Sequence, residues 1–203
     1  MIWMQTHTGI AFDLENITSE LICLRDISVS LARQPRFNGH TQEHYTVAQH
    51  ACLVADMVSS NGGSSELILA ALLHDAHEAY TSDIPSPLKW LLGESWTAFK
   101  ELESKVDAAI AEHFGIDPAL FQDPLLKLAD GSALFHEKHA LMVERGHDWS
   151  WDLILGDKEP LAMPTVPEMD LKIPWAFVEA TQWLEVSIEY FQSKVQNNTV
   201  DIL

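Results

Sequence analysis

Three stretches of this chain place polar, ligand-type side chains where a helix should present apolar ones. His50 lies three residues after Val47 and four before Val54, so a helix through this segment turns all three to one inward face. His74 lies seven residues after Leu67 and four after Ala70, and Asp75 follows it directly. Asp130 sits four after Leu126 and four before Leu134, where a lone carboxylate would be costly to bury. Two imidazoles and two carboxylates converging from separate helices make a mixed nitrogen and oxygen set that suits a divalent transition metal. Taken singly, each has a blander account, a hydrogen-bonded core histidine or a solvated aspartate. Periodicity alone therefore reaches a candidate metal site and no further. Five of the ten histidines (His40, His44, His50, His74 and His77) fall between Phe37 and Leu88, a stretch with no Lys or Arg.

The elements that must position these residues read mostly as helices. The opening residues around Thr8-Gly9 alternate loosely and predict a short hairpin within 1–18. Leu24, Ile27 and Leu31 predict a helix that Pro35 stops, and Arg36–Tyr45 reads as a polar loop. Thr46 is placed to cap a helix ending at Asn61-Gly62-Gly63, and Ser65 to cap the next. Ser95 is expected to start an amphipathic helix that closes near Gly115, and Asp123-Pro124 to start one that runs to about Glu144. Residues 146–173 show no sustained period and read as a long loop, followed by a C-terminal helix over 174–196. The expectation is an all-α bundle with a small N-terminal β-hairpin, residues 1–203 forming one domain.

Composition narrows the function. With 203 residues, 47% hydrophobic and 21% charged, the chain has ordinary globular composition. It lacks a stretch long and apolar enough to span a membrane, and its first residues do not have the pattern of a signal peptide. Cys23 and Cys52 lie in apolar contexts without metal-knuckle spacing, which predicts two reduced thiols and fits a cytoplasmic location. The net charge of -18 repels nucleic-acid polymers and acidic membrane surfaces. A small anionic substrate is compatible with it only if a metal or a few placed cations reverse the sign locally.

The string LLHDAHEAYTSDIPSPLK, with RFNGHTQEHYTVAQH before it and LADGSAL after it, resembles the HD-domain metal-dependent phosphohydrolases. The likeness is to the small bacterial and phage members that act on nucleotides, and it covers Arg36 to Leu134 in family order. It implies an HD-type helical bundle in which His50, His74, Asp75 and Asp130 hold one divalent metal ion, whether cobalt, manganese, zinc, iron or magnesium. It also implies that Glu78, three residues after the HD aspartate, assists catalysis by orienting or deprotonating the attacking water. Asp83 matches an acidic position that helps shape the site. Lys89 and Arg36 match positions suited to phosphate, with Arg33 as a lesser candidate. Phe37 stands where deoxynucleoside monophosphatases of the family carry a Trp against the sugar, a departure that bears on selectivity for deoxyribose. Ala79 after Glu78 disfavours the alarmone-hydrolysing branch, which carries an Asp there.

The resulting expectation is a cytoplasmic phosphohydrolase, removing the 5'-phosphate or 5'-triphosphate of a 2'-deoxynucleotide, whose partner is that small molecule. No nucleic-acid polymer or membrane is expected, and a homo-oligomer is. The alternatives are a phosphodiesterase or hydrolase of another small phosphate ester, and a catalytically silent nucleotide-binding protein of the same fold.

Overall fold

Four helices bury apolar stripes against one central helix, and that helix carries His50. The computed structural model describes residues 2–147, 149, 151–165, 171 and 174–200. Strands β1 (Trp3–Gln5) and β2 (Ala11–Asp13) pair antiparallel, with Met4 opposite Phe12. The hairpin is fastened to the bundle twice: Phe12 stacks on the Tyr80 ring at 4.1 Å, and Asp26 accepts hydrogen bonds from the Thr8 backbone and hydroxyl.

Helix α1 (Leu24–Arg33) leads through a tight turn at Arg36–Gly39 to α2 (Val47–Ser60). Thr46 caps α2 in a reciprocal box: its hydroxyl accepts from the Gln49 N–H, and the Gln49 carboxamide oxygen accepts from the Thr46 N–H. Helix α3 (Ser65–Leu73) is capped by Ser64, not by Ser65 as expected, because the earlier hydroxyl is the one that reaches the Leu67 N–H. Residues 74–77 then form tight turns, with Ala76 N–H donating to Leu73 and Glu78 N–H to Asp75, before the short α4 (Glu78–Thr81).

Helix α5 (Ser86–Leu92) starts in a proline-bounded segment, and a turn at Gly93–Trp96 follows it. That turn is why α6 (Thr97–Phe114) begins at Thr97 instead of Ser95. Asp123 caps α7 (Pro124–Leu141) by accepting from the Leu125 N–H, as Asp123-Pro124 predicted. The helix stops at Leu141, short of Glu144, because Met142 is already extended. Two further expectations are corrected. The segment 146–173 is not all loop, since Trp151–Leu155 forms α8, a single apolar turn seated on α7. The last helix, α9 (Phe177–Val200), begins after Pro174, its first bond running from Ala180 N–H to the Ala176 carbonyl, and it extends past residue 196.

Helices α1, α3, α7 and α9 all pack on α2, whose residues Val47 to Val54 are buried on every side. The buried apolar residues form a cluster from Phe12 to Ile188. The architecture is the all-α bundle with a small N-terminal hairpin that the sequence predicted. Both cysteines are free thiols. Among the described residues no helix is long and apolar enough to cross a membrane.

Candidate metal and phosphate site

His50 comes from the first turn of α2, His74 from the C-cap of α3, Asp75 from the turn after it and Asp130 from α7. His74 thus sits at the end of its helix, where the chain can turn and bring the adjacent aspartate to the same point. The donor atoms of His50, His74 and Asp130 all lie within 4.8 Å of one another. Asp130 Oδ1 is 3.2 Å from His50 Nε2 and 3.9 Å from His74 Nε2, and Asp75 Oδ2 is 3.5 Å and 3.2 Å from the same nitrogens. Donors about 2.1 Å from a shared cation stand from about 3.0 Å apart when adjacent to about 4.2 Å when opposite, and all four spacings fall within that span.

Hydrogen bonding on the far side of each ring supports that reading. His50 Nδ1 is 2.6 Å from Glu137 Oε1, and His74 Nδ1 is 2.7 Å from the Ala71 carbonyl. Both partners are acceptors, so each Nδ1 carries the proton and the other nitrogen is the one offered to a metal. Both Nε2 atoms are buried and make no hydrogen bond of acceptable geometry, despite the nearby carboxylates. Two orphaned, buried imidazole nitrogens facing two carboxylates are what a cation site requires.

The electrostatics are correspondingly negative. Burial and Arg36 both disfavour a charged His50, yet without a cation Glu137 and Asp130 outweigh them and raise its pKa to about 10, so a metal must displace the Nε2 proton to bind there. Burial would raise the Asp75 carboxyl, but His74, His50 and Arg36 keep it well below its usual range. Glu78 goes the other way: burial, with Asp75 and Asp83 close by, raises it well above an ordinary glutamate, and its Oε2 is buried without a partner. Asp83 is raised for the same reasons, burial first and the Asp75 charge second, against the opposing pull of Arg36. Its backbone N–H is held by Gln34 Oε1, and Gln34 also donates to the Glu78 carbonyl, so one side chain ties α1 to both acids.

These groups form the floor of a cavity of about 710 Å³. Arg36, Glu78, Asp83 and Lys89 line it together with Asp75 and Asp130, and the aromatic rings of Phe37, Trp90 and Trp149 form its walls. Phe37 and Asn38 both have positive φ, 54° and 52°, a conformation that side chains other than glycine adopt at a cost. The loop is fixed in that shape at its neck, where Arg36 N–H donates to the Tyr45 carbonyl and Pro35 bridges Thr46. On the opposite wall Gly131, next to Asp130, lets α8 approach: a Cβ there would stand 3.1 Å from Leu155 and 3.2 Å from Ile154.

The structure brings all nine predicted residues to one place and sharpens several. Arg36 is mostly buried, its Nε 3.2 Å from Glu137 Oε2 and its Nη1 3.7 Å from Asp75 Oδ2, so part of the guanidinium is already engaged. Lys89 lies 3.5 Å from Glu103 and 5.3 Å from the centre of the Trp96 ring. Arg33 points elsewhere, over the Phe177 ring of α9. His40 lines the cavity and His44 is exposed. His77 faces α6, with Nδ1 2.9 Å from Asp107 and Nε2 3.6 Å from Glu103; burial opposes its charge, but these acids raise it to about 10. It is a clamp between the HD turn and α6.

Glu137 was not foreseen. It is fully buried and accepts from His50 Nδ1, the Tyr45 hydroxyl at 3.0 Å and Arg36 Nε. Burial would raise its carboxyl, but Arg36 and His50 hold it ionised. One signal was available: Glu137 lies seven residues after Asp130, two turns along the same helix face.

Comparison with known proteins agrees with this geometry. Residues 29–143 match the family described as YfbR-like, 5'-deoxynucleotidase YfbR-like. The chain is 38% identical over 149 residues to the uncharacterized protein YfdR of Escherichia coli, covering 73% of this chain and 78% of that one. It is 36% identical over 135 residues to an uncharacterized protein of Rhodobacter capsulatus, covering 63% of this chain and 67% of that one.

Proposed function

The chain belongs to the YfbR-like 5'-deoxynucleotidase family, and on that premise we propose that it removes the 5'-phosphate from 2'-deoxynucleoside monophosphates with one divalent cation held by His50, His74, Asp75 and Asp130. The coarser part of this statement, a nucleotide phosphohydrolase of the HD type, follows from family membership. The finer part is our reading, and the observation that carries it is the pair of orphaned Nε2 atoms turned toward the carboxylates at the cavity floor.

A cation bound there supplies Lewis-acid polarisation of a phosphoryl oxygen and makes a nearby water more acidic. The protein's own groups do the rest. Glu78 has the attributes of a proton acceptor for that water: it is buried, lines the cavity, has a free Oε2, and its proton affinity is raised by burial and its acidic neighbours. Asp83, fixed through its backbone by Gln34, shapes the same wall. Arg36 and Lys89 are the cationic side chains at hand for phosphate. Phe37, held in its strained turn, presents a ring to the sugar.

Charge favours a monophosphate over a triphosphate. The cavity is lined by four carboxylates (Asp75, Glu78, Asp83 and Asp130) against Arg36 and Lys89, and a divalent cation brings the formal balance to zero. Every additional phosphate then adds repulsion with no further lysine or arginine among the lining residues to meet it. The same proposal places the enzyme in the cytoplasm and as a homo-oligomer. Exposed Val178, Trp183, Val186 and Tyr190 on α9 offer apolar surface for assembly, which sedimentation would measure.

The deciding experiment measures metal content and phosphate release across matched ribo- and deoxyribonucleoside mono-, di- and triphosphates. We expect about one divalent ion per chain and highest kcat/KM on deoxy-monophosphates, with Phe37→Ala narrowing the deoxy-to-ribo ratio. Release of triphosphate from a deoxynucleoside triphosphate as the main reaction would overturn the monophosphate assignment. Full activity without metal would overturn the site.

A further inference from the structure

Glu137 receives hydrogen bonds both from α2 and from the closed neck of the loop that precedes it. His50 belongs to α2, whereas Arg36 and Tyr45 stand at the two ends of the loop that carries Phe37. Glu137 Oε1 is 2.6 Å from His50 Nδ1 and 3.0 Å from the Tyr45 hydroxyl, and Oε2 is 3.2 Å from Arg36 Nε. The carboxylate is fully buried, so only these donors offset its desolvation. The contacts also close a ring, because Arg36 Nη1 lies 3.7 Å from Asp75 Oδ2, which is itself 3.5 Å from His50 Nε2.

We propose that Glu137 is a positioning residue that joins the two halves of the site, fixing the His50 ring for the cation and the Arg36 guanidinium for phosphate through one carboxylate. This rests on the cation and phosphate roles proposed above. Its consequence is specific. Removing Glu137 weakens metal binding and anion binding together, although it touches neither ligand. A neutral amide is a poor replacement: its single oxygen cannot serve His50 and Arg36 on opposite sides, and its NH2 would confront one of two N–H donors.

The test needs no nucleotide. Cobalt(II) is titrated into the metal-free protein, and inorganic phosphate into the cobalt-saturated protein, each followed by calorimetry. In Glu137→Gln the cobalt Kd should rise about 10- to 100-fold, the usual cost of losing a group that orients a ligating histidine. Phosphate should weaken about tenfold at saturating cobalt, the effect of one weakened charged contact. Arg36→Ala should lose phosphate affinity yet keep cobalt within about threefold, and Tyr45→Phe should cause the smallest loss of cobalt affinity, about fivefold or less, because only one neutral donor is removed.

Wild-type cobalt affinity in Glu137→Gln overturns the proposal, and so does loss of cobalt affinity with phosphate affinity intact. Thermal unfolding of the metal-free variants shows whether each is folded. Should Glu137→Gln not fold, the zinc-loaded wild-type protein decides: His50 must show a slowly exchanging, far-downfield Nδ1–H resonance, and its absence overturns the orientation. A wild-type protein that binds no cobalt would instead remove the metal reading itself, a distinguishable outcome.

Discussion

The two walls of the cavity are built on opposite principles. The inner wall, from the turn at 74–77, α4 and α7, is backed by His50 and Glu137 with no exposed surface and carries Glu78 with almost none. The outer wall runs through α5 and the segment leading into α8, and it leaves Leu91 82% and Trp90 54% exposed. On the inner side His50 Nδ1 is fixed by Glu137 of another helix and His74 Nδ1 by the Ala71 carbonyl of its own, while Nε2 of both rings is aimed at the site. On the outer wall short elements bounded by prolines and glycines hold rings and one lysine at the rim. Groups that must keep tenths of an ångström are placed on buried helices and the buried turn between α3 and α4, whereas groups that meet a variable ligand are placed where few contacts restrain them.

If this division holds, the inner wall must give the largest effects. Asp75→Ala and His74→Ala should lose metal and activity together. The expected fall in kcat/KM is about 10³-fold or more, since charge stabilisation by a bound ion is worth several kcal/mol. Elemental analysis beside phosphate release checks it, and an active, metal-free variant would break the comparison at its root. Glu78→Gln keeps the shape of the side chain and removes its basicity, so kcat should fall about 10²- to 10⁴-fold while metal content stays near one per chain. Loss of the metal in that variant would move Glu78 among the ligands.

The outer wall should answer more mildly and in a different constant. Lys89→Ala should raise KM and lower kcat/KM about 10- to 100-fold, the value of one charged hydrogen bond to phosphate. A pure kcat effect would transfer Lys89 to the inner group. Leu91→Ser should change unfolding free energy by less than about 0.5 kcal/mol in denaturant titration, because the side chain is already in water. A larger loss would show that α5 is covered in solution.

The sequence made the inner wall far easier to read than its supports. His50, His74 and Asp130 stood out because each interrupts an apolar helical face, and Thr46 and Asp123-Pro124 marked where two of those helices start. Glu137 did not stand out, although it obeys the same periodicity, because it lies in the polar run HEKH, where a glutamate is unremarkable. Tyr45 as its partner, and Glu103 and Asp107 as partners of His77, are tertiary facts with no local trace. Helices α5 and α8 escaped notice because five to seven residues are too few to establish a period. The left-handed turn was only half legible: Asn38-Gly39 is a turn signal, but nothing about Phe37 announces positive φ, and the loop holds it there with its neck closed between Pro35 and Thr46.

Gly131 offers a means of tuning the cavity. A methyl group added there would meet the side chains of Ile154 and Leu155, not backbone, at 3.1 to 3.2 Å. Alanine at this position would therefore press α8 outward by a few tenths of an ångström while strengthening the helix by about 1 kcal/mol. Gly131 and Ile154 both line the cavity wall and Asp130 its floor, so this one position shifts an apolar wall of the chamber while every charged group that lines it is kept. For an engineer seeking to reshape the chamber, the entry point is an absent side chain on the cavity face of α7.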